Sequence, residues 1–389
     1  MTPLDVGVVG AGWMGHAHAR SYLRVPHHYR DLGARPRLLA VADPVADLRE
    51  DAVDRYGFET GLDNWQRLVD DPRIRVVSVT TPTFLHAEIG QAVGAAGKHL
   101  WIEKPVGLSL DETRRVRDAV AAAGVVGRVG FNYRHAPAVV KARALVRSGA
   151  IGTVTHARFR LLTDYAAHPG GVLSWRFESA RGGDGVVGDL VSHGVDLVRY
   201  LVGEIAAVVA EGGVFIADRP LPSGSGSHYE VATGGPQGRV ENLDHLSALM
   251  RTDSDVPVQL ESSRVAVGNQ NNYGFEIHGT QGSVAWDFRR MPELRISTGT
   301  EYQNQPVTDT TVGPGDGDYG RFQPGAGIAM GYDDLKVAEC ADLLSAVLGV
   351  PGSGLGATLD DAVAAAAVMA ALNESVAKQA WTTVPPTAG

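Results

Sequence analysis

The 389-residue sequence predicts an α/β fold whose N-terminal part is a doubly wound parallel sheet, and three observations carry that prediction. Short β-branched runs alternate with stretches of helical spacing. Those runs are apolar without alternation, as strands buried on both faces are. The first of them leads at once into a glycine-rich turn and then a helix. The chain is longer than the ~150 residues of a typical domain, so two domains are expected, at residues 1–128 and 129–389. A formal net charge of −9 speaks against a nucleic-acid or membrane-surface partner. The one cysteine, Cys340, has no internal disulfide partner, as suits a reducing compartment. No apolar run approaches the ~20 residues of a membrane span. The opening "MTPLDVGVVGAG" lacks a secretory signal pattern, so a cytoplasmic location is expected.

The elements follow in order. "VGVVG" at 6–10 reads as the first strand and runs into "GAGWMG". Gly10, Gly12 and Gly15 then stand in the G-x-G-x-x-G pattern. The first glycine permits a tight turn, the second lets backbone approach a pyrophosphate, and the third lets the helix pack closely. Amides around Trp13 and Met14 would face the phosphates at a helix N-terminus. The second strand, "RLLAVAD" at 37–43, ends on Asp43. A carboxylate there accepts both adenosine ribose hydroxyls and repels a 2′-phosphate, which favours NAD over NADP. Asp43 also precedes Pro44, so a plain turn fits the same residues. It stands 28 residues after Gly15, more than the usual ~20. A loop insertion at 25–36 is expected to account for the excess, because Pro26, Gly33 and Pro36 interrupt a helical pattern. His27 and His28 within it read as solvated. "VVSVTTP" at 76–82, "HLWIEKP" at 99–105 and "GVVGRVGFNYR" at 124–134 read as further strands. Right-handed crossovers would join them. Ligands in such a fold bind beyond the carboxyl ends of the strands, where Glu103 and Lys104 stand.

In the second half, "DLVSHGVDLVRYL" has helical period, with Asp189 and His193 four residues apart and so on one side. Gly182, Gly183, Gly185 and Gly188 precede them in a loop able to start a helix in a cleft. Histidine suits acceptance of a hydroxyl proton, since its ordinary pKa of ~6.5 lies near working pH. Two other readings fit this helix. Asp189, His193 and Asp196 could begin a metal site, although no further ligand cluster has suitable spacing, so no metal is expected. His193 and Asp196 could also satisfy each other in a core; Asp196 reads as structural, with Arg199 as a partner. Glycine-rich stretches at 25–36, 221–238 and 308–331 read as lids or subunit contacts. The last 58 residues return to helix and are expected to pack on the second domain.

"GAGWMG", "TTPTFLHAEI", "EKP" and "GFNYR", with "GDLVSHGVDLVRYLVG" and "FEIHGTQGSVAWDF" later, resemble the Gfo/Idh/MocA family. The resemblance spans nearly the whole chain. It implies a Rossmann domain followed by an α/β domain with an open, mostly antiparallel sheet. It implies NAD as cofactor, contacted by Thr81, Pro82, His86, Glu103, Lys104, Asn132 and Arg176 besides the glycine loop. Glu103 would reach the cofactor ribose or a neighbouring backbone group, and Pro105 would follow a cis peptide. Lys104 would bond the reacting oxygen, His193 would accept its proton, and Asp189 would orient His193 or hold a neighbouring hydroxyl. Tyr133, Tyr165, Trp175 and Arg176 would line the substrate site, with His168 nearby; Trp175 fits a core aromatic equally well. Thr83 and Val191 depart from the residues the family often has there. The long first insertion, "LSWRF" and "GDLVSHGVD" are similar to levoglucosan dehydrogenase-like members, which implies oxidation of a pyranose, glycoside or cyclic polyol at carbon 3. An NAD-dependent glycosidase, acting by transient 3-oxidation and elimination, needs the same residues. A cofactor-binding regulator without turnover would lack Lys104 or His193. A homo-oligomer, dimer or tetramer, is expected.

Overall fold

The structure, a computed structural model, describes residues 2–222, 230–232 and 234–387. β1 (Thr2–Val9) is apolar without alternation, and Val6, Val8 and Val9 are all buried. It is followed by α1 (Trp13–His28), β2 (Ala34–Ala42), α2 (Ala46–Tyr56), β3 (Thr60–Leu62), α3 (Trp65–Asp70) and β4 (Val76–Val79). α4 (His86–Ala95), β5 (His99–Ile102), α5 (Leu110–Ala122) and β6 (Gly127–Val129) complete the alternation. The six strands pair in parallel in the order β3-β2-β1-β4-β5-β6, the doubly wound arrangement. β6 is three residues long, shorter than the 124–134 run predicted, because a 3₁₀ turn at Asn132–His135 takes over.

The expected loop at 25–36 is corrected. α1 continues to His28 with Pro26 inside its last turn, followed by a 3₁₀ turn at Arg30–Leu32 and Gly33 at φ 72°. Val25, Tyr29 and Leu32 are buried, and their packing outweighs the one backbone hydrogen bond that proline removes. A lengthened helix, not a loop, therefore separates Asp43 from the glycines.

After this alternation come α6 (Pro137–Arg147), β7 (Val154–Leu162), α7 (Ser179–Gly182), α8 (Ser192–Leu201), β8 (Ile205–Gly213), β9 (Asp218–Pro220) and β10 (Gln237–Arg239). β11 (His245–Thr252), β12 (Pro257–Ser263), β13 (Asn272–Gly279), β14 (Gly282–Asp287), β15 (Glu293–Thr298) and β16 (Thr308–Thr311) follow. α9 (Tyr319–Phe322), α10 (Tyr332–Leu348), α11 (Leu359–Lys378) and β17 (Thr382–Thr383) end the chain. A nine-stranded sheet runs β16-β15-β14-β13-β7-β12-β11-β8-β17, and only β7 and β12 pair in parallel within it. Its strands alternate buried and exposed residues, as in the pattern of β11 and β12, so one face is packed and the other faces solvent. α8 lies on the packed face. A side chain at Gly194 would place Cβ 2.6 Å from methyls of Leu161 on β7 and Leu260 on β12, so only glycine allows this approach.

The chain divides into two compact units, Met1–Ala136 with Gly313–Val363, and Pro137–Val312 with Ala364–Gly389. The division differs from the expected boundary at 128/129, and it moves α10 into the first unit. Val337, Cys340, Ala341, Leu343 and Leu344 of α10 join the core of Val6, Tyr22, Val41 and Trp101. The apolar face of α10 matches that sheet, which corrects the expectation that the whole C-terminal helical region packs on the second domain. Two of the glycine-rich stretches also meet inside this unit, instead of standing apart as lids. Arg321 forms a two-pronged pair with Asp31, Tyr29 donates to Asp318 at 3.0 Å, and Phe322 stacks on His28. Residues 223–229 and 233 of the third stretch lie outside the described residues.

Candidate active site

In the first unit, Gly10 and Gly15 of the β1–α1 turn are each required by a close neighbour, and Gly12 by none. Gly10 has φ 97°, and a Cβ there would lie 2.8 Å from the Thr80 carbonyl. A Cβ on Gly15 would lie 2.0 Å from the Gly10 oxygen, whereas one on Gly12 would meet nothing within 4 Å. Gly12 therefore leaves open space above the turn, and no side chain caps the N-terminus of α1 beside it. Free first-turn amides facing open space are what a pyrophosphate requires. Thr80 pins the turn by donating to the carbonyls of Val9 and Gly10. Asp43 accepts from the Ala11 amide at 2.8 Å and from the Val45 amide at 2.9 Å, which fixes its carboxylate beside the turn. Arg49 holds the Asp43 carbonyl.

Two more groups of this unit fit a dinucleotide. Asn132 is fully buried, and neither its side-chain oxygen nor nitrogen has a partner among the described residues. The buried Thr81 hydroxyl is likewise without one. An unmet amide and hydroxyl cost free energy when buried, and each can take a polar ligand group. Pro82 begins a 3₁₀ turn over Thr83–Leu85. Trp13 contributes its amide to the α1 N-terminus, while its indole is exposed and stacked on Tyr332 at 5.3 Å.

Two of the expected cofactor contacts have protein partners of their own. Both ring nitrogens of buried His86 lie 2.8 Å from main-chain carbonyls, Nδ1 at Pro105 and Nε2 at Thr81. The imidazole lies between the loop after β4 and the loop after β5; burial lowers its pKa, and the neutral ring donates to one of the two carbonyls. Glu103 is buried, and its Oε1 accepts from Lys336 of α10 at 2.5 Å and contacts His18 of α1 at 3.0 Å. Its carboxylate is thus committed to a buried ion pair. Burial would raise the Glu103 pKa, but the Lys336 charge and the His18 bond outweigh it and hold the group well below the usual carboxylate range. Gly130 makes room for it: a Cβ there would lie 2.5 Å from the same oxygen. Lys104 follows, half-buried, and its peptide bond to Pro105 is cis. Tyr133 is buried in the 3₁₀ turn after β6, where neighbouring Arg134 pairs with Asp361.

In the second unit, Tyr165, Asp189 and Arg176 come together. The Tyr165 hydroxyl donates to Asp189 Oδ2 at 2.7 Å, and an Arg176 nitrogen lies 3.8 Å from Oδ1. Burial, and then the Asp189 charge, push the Tyr165 pKa up, so the phenol stays a donor. The Arg176 guanidinium lies over the half-buried Trp175 ring at 4.6 Å. His168 is not part of this cluster: it is exposed and accepts from Gly170 within its own turn. The expected uniform α-helix is also corrected. Asp189 stands in a π-helical turn, Val187–Val191, and His193 in the first turn of α8. Such π turns are frequent at functional sites. His193 is nearly buried, one residue before the close contact at Gly194.

Sequence reasoning missed what holds this cluster. The Asn242 side-chain amide donates to the carbonyls of Arg176 and Gly183. Arg264, wholly buried, pairs with Asp244 at 2.8 Å and donates to the Asn242 side chain. Arg219 donates to the carbonyls of Ala166, His168 and Gly171, and Phe177 lies between the two guanidinium groups. These residues fix the 165–183 backbone, including the glycine loop expected to be flexible. No local pattern marks them, since a buried arginine reads like a surface one.

Comparison with known proteins agrees with this geometry. Residues 4–131 match an oxidoreductase family with an NAD-binding Rossmann fold, and residues 139–285 match the GFO/IDH/MocA C-terminal domain. The chain is 36% identical to the levoglucosan dehydrogenase of Pseudarthrobacter phenanthrenivorans over 389 residues, covering 99% of each. It is 28% identical to the inositol 2-dehydrogenase of Rhizobium meliloti over 78% of this chain and 81% of that one. A levoglucosan dehydrogenase structure in complex with NADH and levoglucosan superposes with TM-score 0.91 at 33% identity, covering 99% of this chain and 100% of that one. The glycine cradle, Asp43 and these likenesses lead to one conclusion: the chain belongs to the Gfo/Idh/MocA family of NAD-dependent oxidoreductases.

Proposed function

We propose that this enzyme oxidises a secondary alcohol of a pyranose sugar, glycoside or cyclic polyol at carbon 3. The observation that carries the substrate class is the Tyr165–Asp189–Arg176 cluster, three polar side chains with donor and acceptor capacity for vicinal hydroxyls. The full-length likeness to a levoglucosan dehydrogenase supports it. Bound NAD supplies the hydride acceptor. Lys104 donates to the oxygen of the reacting carbon and stabilises its developing negative charge. His193 accepts the hydroxyl proton, and Asp189 orients a neighbouring hydroxyl while Tyr165 holds the carboxylate in place. Trp175, with Arg176 over it, presents an aromatic face suited to a sugar ring. We include a cytoplasmic homo-oligomer in the proposal. Half-exposed Leu249 and Trp381 on the second unit support the oligomer, and native mass measurement checks it.

The test is a panel of levoglucosan, free pyranoses, inositols and aryl glycosides incubated with NAD. Net NADH with an intact 3-keto product supports the proposal. Glycoside cleavage without net NADH would replace it by the redox-neutral glycosidase reading, and a carbonyl at another carbon would overturn the regiochemistry.

A further inference from the structure

Beneath Lys104 lies a group of buried charges that the proposed reaction does not use. Lys336 and Glu339 of α10, Glu103 at the end of β5, and His18 of α1 are each buried. The Lys336 ammonium is shared, donating to Glu103 Oε1 at 2.5 Å and to Glu339 Oε2 at 2.8 Å. Trp101 of β5 also donates to Glu339 Oε2, at 3.2 Å, and its indole is stacked on His18 with ring centres 3.5 Å apart. β5 is therefore held at two consecutive inward positions, Trp101 and Glu103, immediately before Lys104. Both holds run to the same Lys336–Glu339 pair.

We propose that Lys336 and Glu339 are positioning residues for Lys104, acting through Glu103 and Trp101; this rests on the role assigned to Lys104 above. The end of a strand is free to fray unless its side chains are anchored. Here the anchor is an ion pair whose partners cannot find water as an alternative, so it fixes geometry where a surface pair would not. The negative Glu103 carboxylate is thereby held one residue from the reacting ammonium, with a fixed direction. Glu339 adds a condition. Burial raises its pKa to about 7 against the pull of Lys336, while burial lowers that of His18 to about 4. The groups facing Glu339 and Lys336 are Glu103, Trp101 and His18, Cys340 of the same helix, and His135 after β6 with Asp342 and Arg128 behind it. When Glu339 is ionised, it competes with Glu103 for the one ammonium and loosens the hold on the strand end.

The experiment compares three full-length variants with wild type for NADH binding, kcat and KM on the best sugar of the panel. Lys336→Met with Glu103→Gln replaces the ion pair by a neutral pair of similar length, and Glu339, without the ammonium that lowers its pKa, is kept protonated by burial. The expected result is kcat lower by about 10- to 100-fold, with KM and NADH affinity within about threefold of wild type. Glu339→Gln keeps an acceptor for Lys336 and Trp101 but does not ionise, and it carries the test if the double variant fails to fold. Its expected result is a kcat profile that no longer declines as pH rises through about 7. Lys104→Ala is the control for the underlying reading. If it turns over normally, the role of Lys104 fails, and this inference with it. If it is inactive while the double variant retains wild-type kcat, or Glu339→Gln leaves the profile unchanged, the network is scaffold only.

Discussion

Replacing Gly194 by alanine tests how His193 is placed. The new Cβ would lie 2.6 Å from one methyl of Leu161 and one of Leu260, where ordinary contacts are 3.4–4 Å. About 1 Å of overlap must be relieved on each side. Leu161 and Leu260 are both fully buried, so neither methyl can swing into solvent. Overpacking of this kind costs ~1–3 kcal/mol. Alanine in place of glycine inside a helix returns ~1 kcal/mol. A net loss of about 1 kcal/mol is expected, with Tm lower by ~2–4 °C on calorimetry. The larger effect is on rate. If α8 backs away from the sheet by even a fraction of the overlap, His193 moves with it, and a misplacement of ~1 Å costs ~10²-fold. NADH affinity should be unchanged, because the glycine cradle belongs to the other unit. A variant with raised Tm and wild-type kcat would show helix propensity as the only effect and remove the close packing from the account.

Lys104→Ala should lower kcat/KM by ~10²-fold or more, about 2.7 kcal/mol, with NADH binding intact. Lys104→Arg should not rescue it, because a planar fork does not replace a compact ammonium; near-normal turnover in either variant contradicts the role. His193→Ala should lower kcat by ~10²–10⁴-fold, and a loss under about threefold would remove it as the base. Asp43→Asn keeps an acceptor for the Ala11 amide but loses the charge. Its kcat/KM preference for NAD over NADP should fall by at least about tenfold, ~1.4 kcal/mol, and an unchanged ratio would refute the assignment. Stability should also depend on pH with a sign set by Glu339. Its folded pKa of about 7 exceeds the ordinary 4.5, so the folded state binds the extra proton between those values and loses stability as pH rises through them. The full effect is on the order of 3 kcal/mol, so Glu339→Gln should gain Tm over wild type from pH 5 to 8. A constant difference would contradict it. Glu103 has the opposite sign: its depressed pKa contributes stability that is lost only in acid.

What was legible in the sequence was whatever neighbouring residues determine. Gly10, Gly12 and Gly15 are read correctly because strand, turn and helix follow each other directly. Parallel strands are legible because burial on both faces removes alternation. Pro26 misled, since two buried residues around it, Val25 and Tyr29, hold the helix together where local propensity would end it. Glu103 and His86 show a different limit. Their positions beside Lys104 and Thr81 are visible in the chain, but their partners are not: Lys336 is 233 residues from Glu103. Asn242, Arg264 and Arg219 were invisible on the same ground. A charged residue inside a core declares itself only through its counterion, and no periodicity encodes the distance between them.

The placement of α10 has a consequence for how the protein is made. During synthesis the strands and helices of the first 136 residues emerge well before Lys336 does. At ~5–20 residues per second, the roughly 200 residues between them take about 10–40 s. For that interval Tyr22, Trp101 and Val6 have no α10 against them, and Glu103 has no cation. The nascent half-domain therefore carries an apolar surface and a stranded carboxylate, the conditions under which chains bind chaperones or aggregate. Residues 137–312 of the second unit must be threaded out before the first can close, and the second in turn waits for Ala364–Gly389. A ribosome-bound chain stalled before Tyr332 should be protease-sensitive throughout, and release past Leu348 should protect the early strands.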